Sequence, residues 1–169
     1  MSRTARIALI GLLSVILSAF AVGVLRAETV MIAVRETVDG TPSEPPLPTL
    51  EGVSSGLFEA GHIVFDAGKV DLATRTTDLA EVAREGKAGW LLQITVFYTQ
   101  TKLEKEATRV ACSATFSLVN TENGSTSLSD EVSTTNAGRE KSTDRAALGV
   151  ELGKLISQRI AKALLPASM

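Results

Sequence analysis

Residues 89–98, GWLLQITVFY, decide the fold of this 169-residue chain. Every second residue from Trp90 to Tyr98 is apolar, and in an extended strand these side chains share one face. The opposite face starts with Leu91 and continues with polar residues before Phe97. Because the first half of the segment is apolar on both faces, it predicts a central strand of a sheet.

Two short apolar segments precede this strand, and a helical pattern joins them. The segments are residues 29–34 (TVMIAV) and 62–66 (HIVFD), and each favours a strand. Between them Thr49 offers an N-cap and Gly61 offers a stop. The apolar positions of this helix have the spacing i, i+3, i+7 and i+8: Leu50, Val53, Leu57 and Phe58. The β-α-β order predicts a parallel strand pair with a right-handed crossover.

Gly52 and Gly56 lie inside this predicted helix, where each costs about 1 kcal/mol relative to Ala. Either they mark a face that packs closely on a sheet, or the helix is simply weak. A second, shorter helix is predicted to start at Thr76 and to end at Gly86. Its apolar side consists of Leu79, Val82 and Ala83.

The remainder of the chain predicts a hairpin followed by a long helix. Residues 99–105 are polar and predict a loop, whereas residues 108–119 alternate and predict a strand. The inward positions of that strand are Val110, Cys112, Ala114, Phe116 and Leu118. Asn123-Gly124 predicts a tight turn before a further strand that carries Leu128 and Val132. Residues 142–144 (STD) cap the final helix. Its apolar positions are Leu148, Leu152, Leu155, Ile156, Ile160, Ala163 and Leu164.

The predicted order of elements is β-α-β-α-β-β-β-α. We therefore predict an α+β fold, in which a mixed sheet of about five strands is covered on one face by the first and last helices. The result is a two-layer sandwich whose last three strands form an antiparallel meander. Residues 28–169 make up this single domain.

The amino terminus has the layout of a secretory signal. Arg3 and Arg6 precede an uncharged run, residues 7–25, which ends before Arg26. Small residues offer cleavage sites after Ala21 and after Ala27. The uncharged run is also close to the roughly 20 residues that cross a bilayer, so an uncleaved signal anchor is the alternative. Both alternatives predict export, to the periplasm or to an inner-membrane anchor, and membrane contact only through residues 7–25 if the signal is uncleaved.

The charge balance argues against nucleic-acid partners. The chain has 17 basic and 19 acidic residues. Residues 1–27 hold three of the arginines and no acidic residue, so 14 basic and 19 acidic side chains remain without them. A protein that binds phosphates needs a basic surface, which this balance does not provide.

No catalytic or metal-binding constellation is recognisable in the sequence. His62 stands at a strand start without a nucleophile motif, so we expect it to bond a backbone group. Cys112 lies on an apolar strand face and is expected to act as a small hydrophobe, with an interchain disulfide as the alternative. Asp66 and Asp71 flank a turn, and their spacing misses the known Ca²⁺ loop. We predict no enzyme, no cofactor and no metal site.

Residues 37–48 contain Gly40 and four of the five prolines of the chain, and they predict a stiff loop. Prolines fix the backbone in advance, so docking such a loop costs little conformational entropy. We therefore select Pro42, Pro45, Pro46 and Pro48 as a partner-binding loop. A free edge of the sheet is a second surface, because it can accept a strand from a partner.

Several segments together resemble a group of small bacterial envelope domains. They are Leu57-Phe58 leading through Gly61 into residues 62–66, residues 88–92 entering the long strand, the hairpin on either side of Gly124, and the final helix. The group comprises the amino-terminal domain of the translocation protein TolB, the periplasmic part of the curli secretion channel, the flagellar outer-membrane protein FlgO and the lipoprotein activators of peptidoglycan synthases. The resemblance implies action by binding and assembly, without catalysis. This chain lacks the lipobox cysteine that anchors many of these proteins.

The sequence thus predicts a non-enzymatic exported envelope protein that binds other envelope proteins or assembles with itself. The alternative is an exported module that binds a small ligand or a metal ion in a cavity between the helices and the sheet.

Overall fold

A computed structural model describes residues 27–68, 70, 74–102, 108–134 and 144–165. The predicted signal segment lies outside these residues, apart from Ala27. The strands are β1 (Thr29–Val38), β2 (Thr41–Pro42), β3 (Ile63–Asp66), β4 (Trp90–Lys102), β5 (Thr108–Asn120) and β6 (Thr126–Thr134). The helices are α1 (Pro48–Glu59), α2 (Thr76–Glu85) and α3 (Arg145–Leu164). No helix among these residues is long and apolar enough to cross a membrane.

The sheet is mixed, in the order β2-β1-β4-β5-β6, with β3 also paired to β1. β1 is parallel to β3 and to β4, while β4, β5 and β6 form an antiparallel meander. β3 pairs with the start of β1 and β2 with its end, so both lie along the same side of β1. This arrangement confirms the predicted α+β class, the parallel first pair and the meander.

The main core lies between one face of the sheet and the helices α1 and α3. The inward residues predicted for β4 and β5, from Leu92 to Tyr98 and from Val110 to Leu118, all contribute to it. The helices add Val53 and Leu57 from α1, and Leu152, Ile156 and Ile160 from α3. The predicted two-layer sandwich is therefore confirmed.

α2 packs on the opposite face of the sheet, at the end where β1 and β4 begin. Leu79 and Ala83 are buried there against Met31, Ala33 and Leu91. This second small core explains why the start of β4 is apolar on both faces. Val82, predicted to face the same side, is 52% exposed.

Four small residues bring α1 and α3 into direct contact. A Cβ placed on Gly52 would lie 2.2 Å from the carbonyl oxygen of Val150, and one placed on Gly153 would lie 2.4 Å from the carbonyl oxygen of Thr49. Gly56 faces Ser157 in the same way. Close packing therefore explains Gly52 and Gly56, but the surface they approach is the last helix and not the sheet.

Several predicted boundaries and faces were wrong. β1 extends past residue 34 to Val38, and β4 continues to Lys102 where a loop was predicted. Phe58, predicted to face the core, is 72% exposed, and Leu155 also lies at the surface. The turn signals were correct: Gly61 ends α1 with φ of +87°, and Gly124 turns the β5–β6 hairpin with φ of +70°. Asp144 caps α3 as predicted, by accepting the N–H groups of Ala146 and Ala147; Ser142 and Thr143 lie outside the described residues.

Candidate functional site

The predicted partner-binding loop leaves the sheet at β2 and ends at the first turn of α1. Pro42 is the last residue of β2 and is exposed, as are Pro45 and Pro46, which a cis peptide bond joins. Pro48 is half-buried as the first residue of α1, a position where its missing N–H costs no hydrogen bond. We call residues 42–48 the proline loop.

Glu36 holds both ends of the proline loop. Its main-chain carbonyl accepts the N–H of Ser43 at 2.8 Å. Its side-chain Oε1 accepts the N–H of Thr49 at 3.0 Å. Because one residue of β1 bonds both ends, the position of the proline loop is tied to the central part of the sheet.

The turn before the proline loop is also fixed to the sheet. Asp39 and Gly40 connect β1 to β2, and both have positive φ, of +48° and +82°, as a type I′ hairpin requires. The N–H of Asp39 donates to the carbonyl of Tyr98 at 2.9 Å. Its carboxylate accepts the N–H of Gln100 at 3.0 Å. The exposed prolines are thus presented between two anchored segments.

Thr49 does not have the capping role predicted for it. α1 begins at Pro48, and Leu47 occupies the N-cap position without a side-chain hydrogen bond. The carboxylate of Glu36 instead accepts an N–H of the first turn, where a negative charge also favours the helix dipole. The Thr49 hydroxyl is buried and lies 3.2 Å from the hydroxyl of Tyr98.

Beneath the proline loop, Glu36, Thr49, Tyr98 and Arg145 form a polar group that we call the loop anchor. They come from β1, α1, β4 and α3, and the first three side chains are buried. The Arg145 guanidinium lies 5.7 Å from the centre of the Tyr98 ring, a cation–π distance. A Cβ on Gly149 would lie 2.4 Å from the Tyr98 hydroxyl, so this glycine leaves the space that the hydroxyl occupies.

Burial decides the electrostatics of the loop anchor. Loss of solvation raises the pKa of Glu36, while the hydrogen bonds from Thr49 and the charge of Arg145 act in the opposite direction. Its second carboxylate oxygen, Oε2, is buried without a hydrogen-bond partner. Burial likewise raises the pKa of Tyr98 to about 12, so this phenol is neutral at physiological pH. The loop anchor holds the proline loop in place through the hydrogen bonds of Glu36.

Three of the four residues that the sequence analysis considered for reactivity, His62, Cys112 and Asp66, are described by the structure, and all three lie outside the proline loop. His62 is buried, and its Nδ1 accepts the main-chain N–H of Glu28 at 3.4 Å, as expected for a strand-end histidine. Cys112 is buried in the main core. Asp66 accepts the N–H of Gly68 in the turn after β3, and Asp71 lies outside the described residues. Within the described part of the chain, no three His, Cys, Asp or Glu side chains group as metal ligands would.

Sequence reasoning missed Glu36, which is the centre of the loop anchor. The first strand was predicted to stop before Arg35 because two charged residues follow the apolar run. A usable signal was nevertheless present, since Glu36 continues the alternation of Val30, Ile32 and Val34 and is followed in step by Val38. A charged residue in step with a buried face indicates a partner across the core.

The two edges of the sheet differ in how open they are. At β6, the N–H of Glu131 donates to the carboxylate of Asp130 at 2.8 Å, and the Glu131 carbonyl accepts from Arg159 at 3.2 Å. Arg159 also pairs with Asp130. The hydrogen bond from Glu131, assisted by Arg159, holds the pKa of Asp130 below its usual value. A strand added to β6 would have to displace these bonds, so the middle of this edge is protected.

Comparison with known proteins identifies the fold. No family model matches the chain, and no curated protein matches it. The chain is similar to the PelC dodecamer from Paraburkholderia phytofirmans, with a TM-score of 0.56 and 16% identity over 85% of this chain and 91% of PelC. A likeness at this identity concerns the fold alone.

Two further solved structures match over much of the chain. TolB from Acinetobacter baumannii has a TM-score of 0.43 and 13% identity, covering 82% of this chain and 28% of TolB. The carboxy-terminal domain of LpoB from Escherichia coli has a TM-score of 0.48 and 15% identity, covering 68% of this chain and 87% of that domain. TolB and LpoB, a lipoprotein activator of peptidoglycan synthases, belong to the group that the sequence resembles. The predicted resemblance to small envelope domains is confirmed at the level of the fold.

Proposed function

We propose that this chain is an exported envelope protein that acts without catalysis, by binding proteins through the proline loop. The observation that carries the proposal is the anchoring of this loop at both ends by Glu36, with Pro42, Pro45 and Pro46 left exposed. A loop that is fixed before binding loses little entropy when a partner docks. The Glu36, Thr49 and Tyr98 side chains of the loop anchor are buried, so the anchor supports the loop from within the fold.

The fold and the amino-terminal sequence support the same proposal. Residues 1–27 have the composition of an export signal. PelC, whose fold this chain resembles, is a dodecamer, which supports self-association as one mode of binding. Binding of a small ligand between the helices and the sheet has less support, because hydrophobic side chains of both layers fill that space.

Site-specific photocrosslinking of the full-length chain in cells tests the proposal. A photoreactive residue replaces Pro46 in one variant and Glu122 in a matched variant, since Glu122 is exposed in the β5–β6 turn. We expect adducts of defined mass from position 46 and none from position 122. An adduct of twice the chain mass indicates a second copy, and any other discrete mass indicates an envelope partner.

Two outcomes contradict the proposal. No adduct from position 46, or equal adducts from both positions, removes the proline loop as a binding surface. Sequencing of the amino terminus and cell fractionation test the export separately. A full-length chain dissolved in the cytosol would contradict that part.

A further inference from the structure

The edge of the sheet opposite β6 is formed in part by β3, and its main chain is open. The N–H groups of Ile63 and Ala67 donate to the carbonyls of Glu28 and Ile32, both at 2.9 Å. Because main-chain groups alternate in direction along a strand, the N–H and C=O of Val64 and Asp66 point away from β1. No strand among the described residues pairs with that side of β3. β3 therefore offers two residues for strand addition, without the side-chain protection seen at β6.

Exposed apolar side chains lie on β3 and on the two helices next to it. Ile63 of β3 itself is 57% exposed. Phe58, 72% exposed, lies at the end of α1, the helix that packs over β1 and β3. Val82 of α2 is 52% exposed and precedes Gly86 by one helical turn. The end of α2 lies close to β3, because a Cβ placed on Gly86 would be 3.1 Å from the Phe65 ring. We call Phe58, Ile63 and Val82 the β3 patch.

We propose that β3 pairs antiparallel with β3 of a second copy of this chain, and that the β3 patches of the two copies pack together across this contact. Val64 of one copy then lies opposite Asp66 of the other, and the two Phe65 residues lie opposite each other across the two-fold axis. This register keeps each face of the sheet continuous, because residues directly opposite each other must point to the same face.

The size of the β3 patch fits a second copy as the occupant. With about 200 Å² for a large side chain, the exposed parts of the three residues amount to roughly 350 Å² per copy. Two copies offer about 700 Å², which is the apolar share of an interface that buries about 1,200 Å² in total, the lower end of the standard range. A two-fold contact is also self-complementary, so one open edge and one patch suffice for both partners.

The charged groups at this edge permit the pairing. His62 is buried and bonded to Glu28, and Asp66 is bonded in the turn that follows β3. The two Asp66 residues of a pair are diagonal neighbours, whose Cα atoms are about 7–8 Å apart in an antiparallel ladder. This inference rests on the proposed function only in taking assembly as a mode of action, and it uses a surface different from the proline loop.

Sedimentation equilibrium of the protein in the form recovered from cells tests the pairing. Phe58→Ser removes the largest member of the β3 patch and is expected to weaken self-association by about tenfold or more. Phe97→Ser is the matched control, because Phe97 is 47% exposed on β4, outside the β3 patch; its effect is expected to stay within about twofold. Val64→Pro removes an outward N–H that β1 does not use, and should weaken association to a similar extent.

Each result decides a part of the inference. A wild-type chain that stays monomeric at all concentrations, or equal weakening by Phe58→Ser and Phe97→Ser, overturns it. An unchanged Val64→Pro variant overturns the strand pairing. Thermal unfolding of each variant identifies losses that come from misfolding. The proposed function fails on a different measurement, the absence of an adduct at position 46, so the two failures are distinguishable.

Discussion

Gly52→Ala should destabilise the protein even though alanine is the better helix former. An added Cβ would lie 2.2 Å from the carbonyl oxygen of Val150 and 2.9 Å from its carbonyl carbon, both main-chain atoms. No rotamer change can relieve this overlap, so α1 and α3 must separate and loosen the core beneath them. Overpacking costs about 1–3 kcal/mol, here toward the upper end, against a gain of about 1 kcal/mol in helix propensity. We expect a net loss of about 2 kcal/mol.

Urea unfolding measures this loss, as a midpoint lower by about 1 M for a slope near 2 kcal/mol/M. Gly56→Ala is the matched variant, because its Cβ would meet the Ser157 side chain, at 2.0 Å from Oγ. Ser157→Gly removes that obstacle and should rescue Gly56→Ala, while leaving Gly52→Ala unrescued. If Gly52→Ala raises the midpoint, the helices are not in main-chain contact and the reasoning is refuted.

Three further predictions concern single side chains. The pKa of Glu36 is raised in the folded protein, so its ionisation destabilises the fold. As pH rises from about 4.5 through the folded pKa, wild type should therefore lose stability relative to Glu36→Gln, which urea midpoints at a series of pH values would measure. Parallel pH profiles of the two proteins would contradict this. Asp144→Ala removes the acceptor for two N–H groups of α3 and should cost about 1 kcal/mol in urea unfolding, and no loss would contradict that role. Arg159→Ala should leave stability nearly unchanged but increase association through β6, measured by light scattering, and unchanged scattering would show that Arg159 does not guard the edge.

Alternation and turn residues predicted most of the fold correctly. The pattern of residues 89–98 placed β4 at the centre of the sheet, and Gly61 and Gly124 marked turns at the positions where φ is positive. These signals are local, because a strand face or a left-handed turn is recorded in neighbouring residues. They suffice for the order and class of the elements.

The errors arose where a distant element decides the environment. Gly52 was interpreted either as a close approach to the sheet or as a sign of a weak helix, because sequence spacing cannot reveal that α3 packs against it. Thr49 was predicted to be the N-cap because it is the polar residue before the apolar pattern of α1. The acceptor for the first turn is instead the carboxylate of Glu36, 13 residues earlier, and local sequence does not reveal it. The four prolines were visible as a stiff segment, but the anchoring that makes them a candidate site depends on Tyr98 and Arg145, from β4 and α3.

Phe58 was wrongly predicted to face the core, and it is also the most exposed member of the β3 patch. Its place eight residues after Leu50 in the apolar pattern assigned it to the buried face of the helix, yet Phe58 is 72% exposed near the end of α1. An apolar residue that keeps the helical period but lies exposed costs hydrophobic free energy in an isolated copy, and burial against a second apolar surface recovers it. The two edges of the sheet then differ for one reason. At β6, which side-chain bonds protect, an added strand would have no matching apolar surface to select it. At β3, the apolar patch restricts strand addition to a partner that carries a matching patch, namely a second copy.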